Sequence, residues 1–155
     1  MRLDPGFGVA AAGLGLVAAR SGDVETALAA WGRAERAGGL PASVRHARAG
    51  LLAGRGRIDE AIEDYRLALA SEPDQAAWHG ELASLYAARG LFDLSRAEID
   101  RAIALDPASC SALIAEARLR RARGDREGAV AAARRAVAAG CADADQELAR
   151  LLQER

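Results

Sequence analysis

Glycine recurs in this chain at a fixed interval of 34 residues, at Gly22, Gly56, Gly90 and Gly124. A period of that length limits the fold more than any single motif does, because each period must then be one unit of supersecondary structure. Laying "ARGLFDLSRAEIDRAIALDP" under "GRGRIDEAIEDYRLALASEP" also brings Pro107 under Pro73. Further columns keep the step. Ala27, Ala61, Ser95 and Ala129 are all small, as are Ala34, Ala68, Ala102 and Ala136. Glu25, Asp59, Asp93 and Glu127 are all acidic, and Trp31, Tyr65 and Ile99 are bulky until Ala133 breaks the column.

Each column has a physical task. The glycine lies between two helical stretches, where a residue in the left-handed conformation ends the first of them. The acidic residue follows at the start of the second helix, where it can cap free amides and meet the positive end of the dipole. The two small columns are seven residues apart on the second helix, so they share a face and let neighbouring helices come close. Pro73 and Pro107 end that helix and turn the chain back. The expectation is an all-α fold, an α-solenoid of stacked antiparallel helix-turn-helix units.

Composition agrees. Half of the 155 residues are apolar but only 4% are aromatic, and alanine supplies much of the difference, as suits closely approaching helices. The net charge of −1 gives no basic field for nucleic acid and no sign of an acidic tail. There is no lysine and no asparagine, a bias more simply read as a GC-rich coding sequence than as a binding signature. Cys110 and Cys141 are too few for a disulfide scaffold and form no C-x-x-C pair, so a reducing compartment and the cytoplasm are the default. A periplasmic or membrane-attached place stays open for a longer chain. The run "FGVAAAGLGLVAA" has the length of a signal-peptide core, but Asp4 and Pro5 stand where positive charge belongs and no cleavage pattern follows. It is too short to span a bilayer, so no membrane insertion is expected.

The pattern resembles the tetratricopeptide repeat family, whose unit reads W-x2-L-G-x2-Y, then Ala, an aromatic, Ala and Pro. Residues 76–109 match best, with Leu82, Ala83, Tyr86, Gly90, Phe92, Ser95, Ile99, Ala102 and Pro107. Residues 42–75 supply Leu52, Gly56, Ala61, Tyr65, Ala68 and Pro73. Residues 8–41 keep Leu14, Gly15, Gly22, Ala27, Trp31 and Ala34 but have Gly39 in place of the proline. Residues 110–143 keep Gly124, Ala129 and Ala136 and lose the aromatics. The resemblance implies four units in one structural domain, with residues 144–155 as a capping helix. There Asp143 and Gln146 resemble a capping box, and Leu148, Leu151 and Leu152 form one apolar face.

The beginning of the chain fits the register oddly. Leu3, Asp4 and Pro5 repeat Leu105, Asp106 and Pro107, so residues 1–7 read as the end of a preceding unit or as an N-terminal turn. The following helix, residues 9–19, has no charged side chain, as expected of a helix covered on both sides. The expectation is that the chain is a piece of a longer protein or that another molecule covers this helix, and Val9, Leu14, Leu16 and Val17 are the candidates for self-association into a homodimer.

Catalytic chemistry finds little support. Gly13, Gly15 and Ala18 satisfy a dinucleotide fingerprint, but no strand precedes them, and helix packing already explains the glycines. His46 and His79 lack partners at ligand spacing and read as exposed helix residues, so neither metal nor cofactor is expected. No serine or cysteine nucleophile comes with a base and an orienting group. Cys110 and Cys141 fall at one end of a helix pair, where a disulfide is conceivable but unexpected in a reducing compartment.

Function then falls to the surface. In the family, the first helices of successive units line a groove that receives a peptide. Carried over by column, the groove candidates are His46, Gly50, Ala53, Gly80, Ser84, Ala87, Ile114, Arg118 and Arg121. The lysine and asparagine positions that clamp a terminal carboxylate in chaperone-binding members are unfilled. Small side chains leave room for a helix, and Arg118 and Arg121 are placed to fork onto one carboxylate. These features imply a non-catalytic scaffold or adaptor for an acidic or amphipathic protein segment. Two alternatives are a substrate-recognition part of a larger enzyme and a self-associating assembly module.

Overall fold

The computed structural model describes residues 5–153, with side chains from Gly8 onward, and the helices among them follow the 34-residue period. They are α1 (Pro5–Arg20), α2 (Val24–Gly38), α3 (Ala42–Gly54), α4 (Ile58–Ser71), α5 (Ala76–Ala88), α6 (Phe92–Leu105), α7 (Cys110–Ala122), α8 (Arg126–Ala138) and α9 (Ala144–Gln153). The fold is an all-α helical repeat. The chain divides into two compact units, Met1–Glu72 and Pro73–Arg155.

The column assignments meet their physical tasks. All four period glycines have positive φ, between 72° and 81°, the conformation that ends a helix without a Cβ clash. Both small columns are fully buried in every unit, from Ala27 to Ala129 and from Ala34 to Ala136. Ser95 belongs to the first of them, and its hydroxyl donates to the Ala83 carbonyl at 2.8 Å, so a polar atom is buried without being orphaned. The acidic column sits in the first helical turn, where it meets the dipole. It does not cap. The capping carboxylates are Asp23, which accepts from the Thr26 amide, and Asp125, which accepts from the Gly128 amide.

Pro5 corrects the reading of the opening. It is the first residue of α1 and not part of a closing turn, because proline at the first helical position loses no intrahelical bond and has its φ preset. Leu3 and Asp4 lie outside the described residues.

In the first unit, Trp31 is wholly buried among Ala11, Ala12, Ala18, Ala27 and Ala34, with Val44 of α3 closing the cluster. Its indole N–H donates to the Ala12 carbonyl at 3.2 Å. Gly15 is what admits it, since a Cβ there would overlap the indole ring. In the second unit Ile99 and Leu119 form a core with Ala83, Ala87 and Ala115. α9 covers α7 and α8 by placing Leu151 among Ala117, Ala129, Ala132 and Ala133. The apolar face expected on α9 is shifted: Leu151 is buried and Leu148 partly so, but Leu152 is exposed, and Ala144 and Glu147 take the inward positions.

Candidate functional site

The first helices carry charge where the repeat pattern has apolar residues. Leu14 and Leu82 share a column with Arg48 and Glu116. Arg48 binds Asp64 through two bonds of 2.6 Å and reaches Glu35 at 2.9 Å, and Arg45 holds the same Glu35 at 2.6 and 3.1 Å. Burial works against the Arg48 guanidinium, but the hydrogen bonds and charges of Asp64 and Glu35 outweigh it and hold its pKa above the ordinary value. A cleft of about 420 Å³ opens beside this network, lined by Glu35, Glu60, Glu63 and Asp64 and by Arg45, Arg48 and Arg57, so the carboxylates exceed the guanidiniums by one. In the second unit buried Glu116 is held by Arg120 at 3.0 Å and Arg135 at 3.2 Å.

His79 is buried, contrary to the expectation of an exposed helix residue. Its Nδ1 lies 2.5 Å from Glu98 and its Nε2 lies 2.8 Å from the Pro73 carbonyl. Both ring nitrogens therefore face oxygen acceptors, which leaves neither to ligate a metal or to act on a substrate. Arg45 and His79 occupy one column of the repeat, and Asp64 and Glu98 occupy another. In the outer hairpins the same two columns hold Ala11 with Ala30 and Leu113 with Ala132, all buried. Polar residues thus replace apolar ones two at a time, with Arg45 3.8 Å from Asp64 and His79 bonded to Glu98. No group of three or more candidate metal ligands occurs among the described residues.

The groove candidates separate into three kinds. His46, Gly50, Ala53 and Ser84 keep some exposure, with the His46 ring edge-on to Tyr65 at 5.6 Å. Gly80, Ala87 and Ile114 are buried and line no groove. α7 crosses α5 so closely at Gly80 that a Cβ would overlap Ser111 and Ala112. Ala87 belongs to the Ile99 cluster, and Ile114 packs with Leu113, Ala136, Cys141 and Ala144.

Arg118 and Arg121 both face one carboxylate, which is the chain's own, and its Oε1, the atom nearer Arg121, takes no hydrogen bond among the described residues. Glu147 of α9 accepts from Arg118 Nε at 3.3 Å and stands 3.9 Å from Arg121 Nε, with its side chain only 5% exposed. The three-residue spacing signalled the shared target, while nothing in the spacing showed that α9 would supply it. The second correction is covalent. Cys110 and Cys141 form a disulfide, with their Cα atoms 5.4 Å apart. It joins the first residue of α7 to the α8–α9 connection, the same end of the pair that the sequence placed them at.

A family model described as tetratricopeptide repeat matches residues 46–109. No curated protein matches the sequence. Among solved structures, a tetratricopeptide repeat protein from Parabacteroides merdae superposes with a TM-score of 0.79 at 19% identity, over 93% of this chain and 57% of that one. The chain thus spans little more than half of that protein's length. YrrB, described as a TPR protein with an unusual peptide-binding site, gives a TM-score of 0.76 at 17% identity over 85% of this chain and 68% of its own. The first TPR of Spaghetti (RPAP3), bound to the HSP90 peptide SRMEEVD, gives 0.59 at 23% identity over 72% of this chain and 90% of its own.

Proposed function

We propose that the chain, whose residues 46–109 match the tetratricopeptide repeat model and whose fold is that of solved repeat proteins, is a scaffold without catalysis of its own, which binds a helical segment of another protein against its first helices. The observation that carries the reading is the seat of Glu147. An amphipathic helix, α9, already lies against α7, and its one buried carboxylate stands between Arg118 and Arg121. This contact supports a ligand of the same kind, an apolar helix face with an acidic residue in it.

Each unit has first-helix positions that α9 leaves open, Gly50 and Ala53 on α3 in the first and Ser84 on α5 in the second, whose small side chains let a helix of that chemistry approach. Recognition differs from clamping of a terminal carboxylate, since the chain contains no lysine and no asparagine to build that clamp. No helix among the described residues is long and apolar enough to cross a membrane. The Cys110–Cys141 bond supports an oxidising compartment over the cytoplasm expected from the sequence.

The test is an array of acidic amphipathic helical peptides beside copies with every acid replaced by arginine. Selective capture of the acidic set is expected, lowered by Gly50→Trp and by Ser84→Trp with helical content unchanged. Equal capture of both sets, or indifference to both substitutions, refutes the reading.

A further inference from the structure

Cys141 stands in the repeat column of Pro73 and Pro107. Where those two units close with a proline, the last one closes with a residue bonded to Cys110 at the start of α7. A turn that the other units fix with a ring is therefore fixed here by a bond that a thiol can break. Cys110 is exposed, while Cys141 is buried with Leu113, Ile114, Ala136 and Ala144, so a reductant reaches the pair from the Cys110 side.

Past the bond lies α9, and its other ties are few. Its ten residues are fewer than the roughly 12–15 that hold a helix on their own in water. The face it turns inward is Ala144, Glu147, Leu148 and Leu151, and of the two leucines only Leu151 is wholly buried. Arg126 adds one hydrogen bond to the Leu151 carbonyl, at 3.3 Å. Glu147 weakens the face. Its side chain is 5% exposed, and its Oε2 accepts from Arg118 at 3.3 Å, but its Oε1 takes no hydrogen bond among the described residues, so that oxygen gives up water without a replacement. The cross-link at the entry of α9 supplies the hold that these contacts lack.

The seat beneath α9 has a readable shape. Ala133 occupies the column of Trp31, Tyr65 and Ile99, and the room left by its small side chain, bounded by Ala117, Ala129 and Ala132, receives Leu151. Arg118 and Arg121 stand one turn of α9 away, where Glu147 meets them. The seat thus reads a leucine and, four residues ahead of it on the same helix face, an acid.

We propose that reduction of the Cys110–Cys141 bond releases α9 and opens its seat to a helix of another protein that carries an acidic residue four positions ahead of a leucine. The proposal rests on the scaffold reading and names its regulation. A dithiol supplies the electrons. One of its thiolates attacks the Cys110 sulfur and expels the Cys141 thiolate, and the other then breaks the mixed disulfide and frees Cys110. Two electrons and two protons pass to the cysteines, which end as thiols, and the dithiol ends as a disulfide.

The test uses the full chain and a labelled peptide with the sequence of residues 143–153, followed by fluorescence anisotropy with and without dithiothreitol. Binding should be at least about 10-fold tighter after reduction. The Cys110→Ser, Cys141→Ser variant should bind without reductant and ignore it, and the Glu147→Arg peptide should bind at least about 10-fold more weakly to the reduced chain. Hydrogen exchange gives a readout that needs no ligand: amides of residues 144–153 should lose protection on reduction while those of 110–122 keep it. Retained protection in α9, or peptide binding that is equal in both redox states, overturns the switch. Equal binding that Ser84→Trp lowers leaves the scaffold reading standing, whereas binding in neither state overturns both. A reduced chain whose mass doubles has seated α9 in a second copy, which overturns the assignment to another protein.

Discussion

Gly13 and Gly15 are two residues apart on one helix, and alanine at each should have opposite effects. At Gly13 the added methyl meets nothing within 4 Å, so the change contributes the helix-propensity gain of alanine over glycine, about 1 kcal/mol. At Gly15 the methyl overlaps three atoms of the Trp31 indole. Trp31 is wholly buried and flanked by alanines whose backbones cannot give way, so the ring must leave its rotamer, at an overpacking cost of about 1–3 kcal/mol. If the ring swings far enough to lose the Ala12 carbonyl, its N–H is left unsatisfied, which costs about 1–3 kcal/mol more. Net of the propensity gain, Gly15→Ala should destabilise the first unit by roughly 3 kcal/mol. For a unit of this size that is a drop in Tm of more than about 10 °C, against a rise of about 4–8 °C for Gly13→Ala. The assay is urea and thermal unfolding followed by Trp31 emission in a Trp78→Phe background, at concentrations where the chain is monomeric. If Gly15→Ala proves as benign as Gly13→Ala, the close approach of α2 to α1 is not what places that glycine.

Other perturbations follow from the charged and covalent contacts. The hydrogen bond from Thr26 holds the Asp23 carboxyl below its ordinary pKa, so its contribution is present above the unfolded value of about 3.9 and fades as pH falls through and below it. Asp23→Ala should therefore lower the unfolding midpoint at neutral pH and flatten its fall between about pH 5 and pH 3, as a series of thermal melts will show. Asp64→Ala strands Arg48 with Glu35 alone and should cost about 3 kcal/mol. Adding Arg45→Leu writes the Leu113 and Ala132 pair into the second hairpin and should recover part of that loss in urea titrations. Reducing the Cys110–Cys141 bond, whose sequence separation is 31 residues, should destabilise the second unit by about 3–4 kcal/mol, visible as a lower second transition in calorimetry under dithiothreitol.

Most of the fold could be read from the period because its columns depend on sterics. Ala27 and Ala34 are small wherever helices cross, and Gly22 is glycine wherever φ must be positive. The site was less legible because its residues pair across columns. Arg45 and Asp64 lie 19 positions apart, and each alone looks like a solvated charge; only their joint replacement by His79 and Glu98, and by apolar residues in the outer hairpins, marks them as partners. Glu147 was hidden for a related reason, since spacing shows that Arg118 and Arg121 share a face but not what stands opposite. Helix register puts Cys110 and Cys141 at one end of a helix pair, but whether they bond also depends on the redox state of the compartment, which register does not report. His79 was misread because burial of a histidine depends on acceptors contributed by other segments, here Glu98 and the Pro73 carbonyl.

The matched pairs bear on a hazard built into any chain that says nearly the same thing four times. Near-identical hairpins can exchange second helices while folding, since every copy offers similar grooves to every other. A mating of α1 or α7 with α4 would bury Asp64 against alanine or leucine, and a mating of α5 with α8 would leave His79 facing Ala132. Each wrong union between an inner and an outer hairpin strands a polar group away from water. The polar groups of Arg45, Asp64, His79 and Glu98 thus act as a proofreading code, by which a monotonous chain tells its own repeats apart.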